Sequence, residues 1–460
     1  MLQKRLTTTV WRLTLYQKRE VNALFICKLQ KIKVFKEKIG SKLDTTGIEQ
    51  EVVNMRAYER LLKYAQVMTP SDESSETVPS SRCQFTLAEQ LVEELKELGV
   101  ADARVDEKCY VYGSIPASKG CEERTGIGFI AHMDTVADFT ERQVRPVVHE
   151  NYDGAGLALG ESGRRLEPEM FGHLPKLKGR TLITSDGTTI LGADDKAGIA
   201  EIMTLVQRVL WEKIPHGRIS LAFTPDEEIG RGADAFDVQA FGAAYAYTVD
   251  GGEEGEIEYE NFNACEAVFH VKGVNVHPGS AKNIMINAGA AACEIQSMLP
   301  EGETPEHTEG YEGFYHLIRM SGSCEKAELV YIVRDHDADK FEERKRTLLQ
   351  IADRMNGKYG EGTVALQIRE QYRNMAEKIM PCFHLIENAK KACRMAGVEP
   401  HVQPIRGGTD GARLSFMGLP CPNLGTGSYA GHGPFEHATA EGMDKVVDVL
   451  IQIVKLYAGQ

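Results

Sequence analysis

Short apolar segments that lead to acidic or histidine residues recur along this chain and constrain its fold more than any other feature. The segments are residues 127–131 before His132, 189–193 before Asp194, 219–223 before Glu227 and 243–249 before Asp250. Each has the length of a buried strand, and a helical pattern follows Asp194. Strands that alternate with helices are typical of an α/β sheet, whose functional residues lie at the carboxyl ends of the strands. The sequence therefore predicts an α/β fold with a site at that edge.

Residues 259–377 follow a different pattern. The predicted elements are a strand at 263–272, a helix at 284–299, strands at 313–321 and 327–335, a helix at 338–356 and a strand at 363–372. This β-α-β-β-α-β order is the ferredoxin-like plan. We expect an α+β domain here, inserted into an α/β domain formed by residues 55–258 and 378–460.

One helix near the start carries visible boundary signals. Residues 86–98 place leucines at helical spacing, and Gly99 follows the last of them. Thr86 and Glu89 have the spacing of a capping box. The sequence predicts a helix over 86–98 that begins at this box and ends before Gly99.

Charge and composition exclude several classes of protein. The net charge of −14 over 460 residues argues against broad contact with nucleic-acid phosphates, and it is compatible with carboxylate clusters that hold cations. No stretch approaches the length of an uncharged membrane span. The ten cysteines form no CxxC pair and indicate reduced thiols. We therefore expect a cytoplasmic protein without a nucleic-acid or membrane partner.

Residues 1–54 differ in charge from the rest. They hold eleven basic and five acidic residues, a net charge of +6, whereas residues 55–460 carry −20. The segment lacks the apolar run and cleavage site of a secretory signal. It is compatible with a transit peptide, with an arm that binds a membrane surface or partner, or with a dispensable extension. We favour the last interpretation, with the functional chain starting near Met55 and an amphipathic helix.

The residues at the predicted strand ends could hold metal ions. Separately, each has an ordinary explanation, such as a solvated loop, a helix cap or an acidic turn. Together they offer imidazole and carboxylate ligands without thiolate, which suit zinc, cobalt or manganese. Five ligands exceed the three that one catalytic zinc takes and suit two ions bridged by a carboxylate and a water. The candidates are His132, Asp134, Asp194, Asp195, Glu227, Glu228, Asp250 and His432.

Longer motifs connect these residues to a known family. They are HMDT at 132–135, TLITSDGTTILGADDKAGIA at 181–200, TPDEEIGRGA at 224–233, YTVDGG at 247–252, GVNVHPGSA at 273–281 and RGGTDGA at 406–412. With these motifs, residues 55–460 resemble the tripeptide aminopeptidases of the peptidase T family. The wider family comprises co-catalytic zinc peptidases and includes aminoacylases, desuccinylases and carboxypeptidase G. The resemblance implies a mixed-sheet catalytic domain whose inserted domain acts as a lid.

The resemblance also implies a role for each candidate. Two zinc ions per subunit, replaceable by Co²⁺ or Mn²⁺, would be bound by His132, Asp194, Glu228, Asp250 and His432. Asp194 would bridge the ions and form a cis peptide with Asp195. Asp134 would orient His132, and Glu227 would be the general base. The implied substrate-binding residues are His277 on the lid, Arg334 and Arg406.

The implied reaction is release of the N-terminal residue from tripeptides. A metal-bridging water would lose its proton to Glu227, attack the scissile carbonyl, and Glu227 would return the proton to the leaving amine. The family's last metal histidine precedes a glutamate by four residues, which favours His432, before Glu436, over His437. The implied partners are short peptides with a free N-terminus, and a homodimer is compatible with the lid.

Two other functions fit the same residues. A related amidohydrolase, such as a dipeptidase, a carboxypeptidase or an N-acyl amino acid deacylase, would use the same metal cluster. A catalytically inactive metal-binding or scaffold protein could keep the fold. The presence of Glu227 with all the ligands argues against the inactive protein, and a substrate panel would separate the enzymes.

Overall fold

The computed structural model describes residues 55–459, so the predictions for residues 1–54 lie outside the described part. The amphipathic helix expected after Met55 is present as Ala57–Tyr64. Among the described residues, no helix is long and apolar enough to cross a membrane.

Helices and strands alternate over most of the described chain. The ten α-helices of residues 55–459 are α1 (Ala57–Tyr64), α2 (Gln84–Leu98), α3 (Ala193–Trp211), α4 (Val238–Phe241), α5 (Ala288–Ser297), α6 (Ala338–Tyr359), α7 (Ala376–Ile379), α8 (His384–Met395), α9 (Asp410–Phe416) and α10 (Ala440–Ala458). The strands are β1 (Arg104–Val105), β2 (Val111–Ile115), β3 (Ile127–His132), β4 (Val147–His149), β5 (Leu157–Ala158), β6 (Arg165–Leu166), β7 (Leu182–Thr184), β8 (Ile219–Thr224), β9 (Tyr245–Gly251), β10 (Glu256–Glu258), β11 (Asn263–Lys272), β12 (Phe314–Gly322), β13 (Lys326–Asp335), β14 (Val364–Tyr372), β15 (His401–Val402), β16 (Asn423–Gly425), β17 (Ser428–Tyr429) and β18 (His437–Thr439). A short 3-10 turn, Glu227–Ile229, follows β8.

The largest sheet has eight strands in the order β1-β2-β8-β3-β9-β16-β10-β15. Its central strands β8, β3, β9 and β16 run parallel, whereas β2 and β10 pair antiparallel with their neighbours β8 and β16. The sheet is therefore mixed, as expected for the fold class. The carboxyl ends of the parallel strands open on one edge, where the candidate residues lie.

The predicted strands at 127–131, 219–223 and 243–249 are confirmed as β3, β8 and β9. The segment 189–193 is different, because it forms no strand before α3. The amides of Leu191 and Gly192 donate to the side chain of Glu436 instead of to a neighbouring strand.

Helices pack on the sheet, and its central strands are buried on both faces. Helix α3 packs across β3 and β9, and α1 and α10 pack against α3. At Gly198 this helix lies so close to β9 that a Cβ atom would stand 1.9 Å from the carbonyl oxygen of Val249. The glycine therefore permits α3 to sit directly beneath the site.

The inserted segment folds into a separate antiparallel sheet in the order β12-β13-β11-β14. With α5 and α6 it has the β-α-β-β-α-β order predicted for residues 259–377, and a core of its own. The predicted strand 263–272 matches β11, while the predicted helix 284–299 is shorter, as α5.

The capping box predicted at Thr86 is wrong. Helix α2 begins two residues earlier, at Gln84, and no side chain caps its N-terminus. The two additional residues are stabilised because Gln84 is buried and donates from Nε2 to Asp226. The predicted end is confirmed, since Gly99 follows with φ of 109° in the left-handed region.

Candidate metal centre

Three neighbouring strands bring candidate ligands to one edge of the large sheet. His132 is the last residue of β3, Asp250 lies near the end of β9, and Glu228 lies in the turn after β8. Asp194 approaches from another direction, at the amino end of α3, and its peptide bond to Asp195 is cis. The parallel pairing of β8, β3 and β9 places these side chains close together.

His132, Asp194 and Asp250 form one group of potential ligands. Nε2 of His132 lies 3.0 Å from Oδ1 of Asp194 and 3.5 Å from Oδ1 of Asp250. The imidazole is buried, whereas both carboxylates retain some exposure. One nitrogen and two oxygen atoms thus converge on a small volume.

Asp194 also belongs to a second group, with Glu228 and His432. Nε2 of His432 lies 3.2 Å from Oδ2 of Asp194 and 3.0 Å from Oε2 of Glu228. Asp194 therefore presents one oxygen to each group, which is the arrangement of a bridging carboxylate. Nitrogen and oxygen donors without thiolate fit two ions such as zinc, cobalt or manganese.

Asp134 holds two parts of this arrangement together. Its Oδ1 and Oδ2 accept from the backbone amides of Glu227 and Glu228, at 2.9 and 3.2 Å. Its Oδ1 also lies 3.4 Å from Nδ1 of His132, and its carbonyl oxygen lies 3.0 Å from the same nitrogen. Asp134 thus fixes the orientation of the His132 ring and of the turn that carries both glutamates.

Glu436, the glutamate four residues after His432, has a structural role at the site. Its carboxylate accepts from the amides of Leu191, Gly192 and Asp194, at 2.8, 2.6 and 2.9 Å. It therefore positions the backbone of the shared ligand. The alternative histidine, His437, instead stacks in an aromatic cluster with His173, whose Nε2 lies 2.9 Å from its own.

The electrostatics of the cluster favour bound positive charge. Burial raises the pKa of Glu227 well above its usual value and also raises the pKa of Asp250. Hydrogen bonds to Asp194 and to a second carboxylate raise the pKa of His432 to about 11. Burial alone would lower the pKa of His132, but the surrounding carboxylates, Asp250 first, raise it well above normal. Protons or metal cations would offset this excess negative charge.

An open cavity lies over the cluster. Four of the residues named above line it: Asp194, Glu228, Asp250 and His432. Glu227 also lines this cavity, together with polar residues from β10 and from the segments around Thr409 and β16. A ligand in the cavity would therefore contact the two metal-ligand groups and the proposed base at once.

Comparison with known proteins identifies the family. Residues 259–363 match the model of a peptidase dimerisation domain. The chain is 52% identical over 401 residues to peptidase T of Clostridium novyi, covering 87% of this chain and 98% of that protein. It is 54% identical over 402 residues to peptidase T of Desulfitobacterium hafniense, covering 87% and 98%.

The chain belongs to the peptidase T family. Membership confirms the predicted enzyme class, a metallo-aminopeptidase. A tripeptidase from Staphylococcus aureus has the same fold, with a TM-score of 0.71 at 20% identity over 88% of this chain and 98% of that one. An aminopeptidase from Bacillus cereus superposes with a TM-score of 0.68 at 22% identity over 88% and 98%.

None of the three substrate-binding residues expected for this peptidase T family member lines the cavity over the ligand cluster. His277 is exposed on the inserted domain, where its Nδ1 accepts from the amide of Gly279. Arg334 lies at the end of β13, with its guanidinium 5.2 Å from the ring centre of Tyr372. Tyr372 also packs against Gly408 of the cavity wall, so its ring connects Arg334 to the cavity.

Arg406 is engaged by the inserted domain. Its guanidinium donates to the carbonyl oxygens of Thr308, Gly310 and Glu312, at 3.3, 2.7 and 3.0 Å, and to the hydroxyl of Thr308. It also lies over the rings of Phe262 and Phe314. In this conformation the side chain fastens a loop instead of facing the cavity.

Two polar residues near the cluster escaped the sequence analysis. Asp410 is buried beneath the site, accepts from the hydroxyl of Thr224 at 2.9 Å, and has its pKa raised to about 7 by burial. Glu258 lies on β10 and lines the cavity. Asp410 stands within the RGGTDGA motif, which could have indicated it, whereas Glu258 alternates with Glu256 like an ordinary solvent-facing strand.

Proposed function

We propose that this chain is a zinc-dependent aminopeptidase that releases the N-terminal residue of tripeptides. The observation that carries the proposal is the pair of ligand groups that share Asp194, with Glu227 on the wall of the same cavity. The name tripeptidase, which describes the structural neighbour from Staphylococcus aureus, supports the substrate class.

The proposed metal ligands are the residues of the two groups described above, which meet near the carboxyl ends of the parallel strands. One ion would be held by His132 and Asp250 and the other by Glu228 and His432, with Asp194 shared. Cobalt or manganese would fit the same donors. Bound there, two zinc ions would lower the pKa of a water between them and polarise the scissile carbonyl.

Glu227 is the proposed general base. It lines the cavity, and its amide is held by Asp134, so its position is fixed relative to the ligands. Its carboxylate would accept a proton from the attacking water and donate it to the leaving amine. Asp134 would act by orienting His132 and the Glu227 turn.

The inserted domain is proposed to complete the site. In this interpretation residues 259–377 form a lid on a catalytic domain of residues 55–258 and 378–460, and the lid carries His277 and Arg334 to the substrate. Arg406 would join them in binding carbonyl or carboxylate groups only after its guanidinium leaves the carbonyl groups of residues 308–312. The match of residues 259–363 to a dimerisation domain supports a homodimer as the assembly.

Hydrolysis of three matched peptides tests the proposal. The zinc-loaded protein should cleave a free tripeptide, but neither its N-acetylated form nor the corresponding dipeptide. Glu227→Gln should lower kcat by about 10²–10⁴ while zinc content is retained, and EDTA should abolish activity. Glu441→Gln is the control, because Glu441 accepts the backbone amide of Thr181 and belongs to neither group of potential ligands. Preference for the dipeptide or acetylated peptide would instead assign a related amidohydrolase, and no cleavage despite bound zinc would refute the peptidase.

A further inference from the structure

Glu258 is a carboxylate of the cavity wall that the proposed mechanism does not use. It ends β10 and lines the cavity together with Asp194, Glu227, Glu228 and Asp250. In the proposed function, three of those four bind metal and the fourth is the base. Glu258 is therefore a cavity carboxylate that neither binds metal nor transfers a proton in the proposed mechanism.

Asn423 fixes the position of this carboxylate. Oδ1 of Asn423 accepts from the hydroxyl groups of Thr248 and Thr409, the latter at 3.2 Å. Its Nδ2 must then face away from them, and it donates to Oε2 of Glu258 at 3.4 Å. Glu258, Asn423 and Thr409 thus form an ordered polar wall, which is a property of a binding site rather than of a solvated surface.

The surroundings of Glu258 lack a compensating positive charge. Burial raises the pKa of Glu258 well above its usual value, and the carboxylates of Glu256 and Asp250 raise it further. Among residues 55–459 no ion pair forms with Glu258, whereas Glu256 has partners in Gln403 and His401. A cation that entered the cavity would offset this repulsion at Glu258.

The position of Glu258 suits one end of a substrate. Strand β16 lies between β10 and β9, so about two strand spacings, or about 10 Å, separate Glu258 from the strand of Asp250. The carboxylate therefore stands beside the ligand cluster rather than over it. The ligand it fits is a peptide's terminal ammonium group, which carries one charge and three donors.

We propose that Glu258, held by Asn423, binds the N-terminal ammonium of the substrate and thereby selects peptides with a free amino terminus. This role rests on the proposed aminopeptidase function and adds to it the residue that recognises the amine. Glu253 is the matched control, because it is a carboxylate three residues before the same strand, lies 3.3 Å from Nε2 of His401, and does not line the cavity.

The experiment compares trialanine with propionyl-dialanine, which differs only by lacking the amine. In the full-length, zinc-loaded enzyme, kcat/KM should favour trialanine by about 100-fold or more, because a site built for a polar group rejects the analogue without it. Glu258→Gln should lower kcat/KM for trialanine by about 100-fold and change that for propionyl-dialanine by less than about threefold. If propionyl-dialanine is not cleaved, its binding is measured instead, as its inhibition constant for the hydrolysis of trialanine.

The controls distinguish a loss of amine recognition from a folding defect and from failure of the proposed aminopeptidase function. Glu258→Asp should restore part of the preference, and Glu253→Gln should keep all of it, with zinc content and thermal unfolding measured for each variant. Equal losses for both peptides, or an unchanged preference in Glu258→Gln and Glu258→Asp, would overturn the role of Glu258. Absence of tripeptide cleavage by the parent enzyme would instead refute the aminopeptidase function on which the role depends.

Discussion

At the scale of single residues, Glu436 contributes to the candidate centre without being one of its ligands. Its carboxylate accepts three backbone amides, including that of Asp194. We expect Glu436→Gln to weaken zinc binding by about 10–100-fold, because an amide side chain has one acceptor oxygen and would direct a donor at these amides. Zinc affinity can be measured by titration against a chelator.

Glu441→Gln is again the suitable comparison for this change. Its carboxylate also accepts a backbone amide, from Thr181, but strand β7, which follows Thr181 directly, carries no candidate ligand. An affinity in Glu436→Gln equal to that of the Glu441 variant would contradict a supporting role for Glu436.

Glu201 gives a prediction on stability. It is fully buried on α3, and neither carboxylate oxygen has a hydrogen-bond partner among residues 55–459. Burial raises its pKa well above the usual value, so the folded chain keeps a proton that the unfolded chain releases near the ordinary pKa. Stability should therefore fall as pH rises, by up to about 1.4 kcal/mol per pH unit until the folded group ionises.

Glu201→Gln should remove this pH-dependent loss of stability, because the glutamine amide stays neutral at every pH tested. Its melting temperature should exceed that of the parent by an amount that grows between pH 6 and pH 9. Glu93→Gln, an exposed change on α2, should give parallel pH profiles. A constant difference between Glu201→Gln and the parent would show that Glu201 titrates normally.

The site was predictable from sequence where chemistry follows strand geometry. His132, Glu228 and Asp250 stand at the ends of apolar runs, and parallel pairing brings such ends together. Glu436 accepts from backbone amides of a distant segment, and Glu258 accepts from Asn423. No local pattern encodes such contacts between segments.

At the scale of elements, the packing of α3 on β9 supports the centre from below. A Cβ at Gly198 would lie 1.9 Å from the carbonyl oxygen of Val249 and 2.5 Å from Oδ1 of Asp195. We expect Gly198→Ala to destabilise the fold by about 1–3 kcal/mol or more, because backbone must move. Thermal unfolding of the metal-free protein would measure this.

Gly357 is the control, since it lies in helix α6 and a Cβ atom there would meet no other atom within 4 Å. Gly357→Ala should stabilise by about 0.5–1 kcal/mol through helix propensity. If both glycine variants shifted stability in the same direction, close packing at Gly198 would not be the cause.

Elements were predictable where periodicity and burial agree. Strand β11 alternates buried and partly exposed residues over most of its length, and its predicted bounds match. The start of α2 and the absence of a strand at 189–193 depend on side chains from elsewhere, Asp226 and Glu436. Local patterns cannot include these partners.

At the scale of the whole molecule, asparagine side chains join the segment that enters the inserted domain to the segment that leaves it. Nδ2 of Asn261 donates to the carbonyl oxygen of Arg373, and its Oδ1 accepts from the amide of Met375. Oδ1 of Asn263 accepts from the amide of Asn374. These hydrogen bonds tie the entering and leaving segments together. Arg406 adds a separate contact, with the loop of residues 308–312 of the inserted domain.

Arg406→Ala tests whether this restraint exists. It removes the bonds from the guanidinium to the carbonyl groups of residues 308–312. Amide hydrogen exchange in that loop should accelerate by about tenfold or more, because charge-assisted bonds are lost. Arg319→Ala, which breaks an exposed ion pair with Glu328 inside the inserted domain, should leave the loop unchanged. Unaltered exchange in Arg406→Ala would refute the restraint.

The same variant separates two roles for Arg406. If its guanidinium binds substrate directly, KM should rise even where loop exchange stays at the parent value. If it acts by fastening the loop, KM and exchange should change together, and zinc affinity should remain that of the parent because no candidate ligand contacts the loop among residues 55–459. The present geometry, with the guanidinium held by three carbonyl oxygens, favours the second outcome. Arg406 would then hold residues 308–312 of the inserted domain, rather than contact a ligand in the cavity.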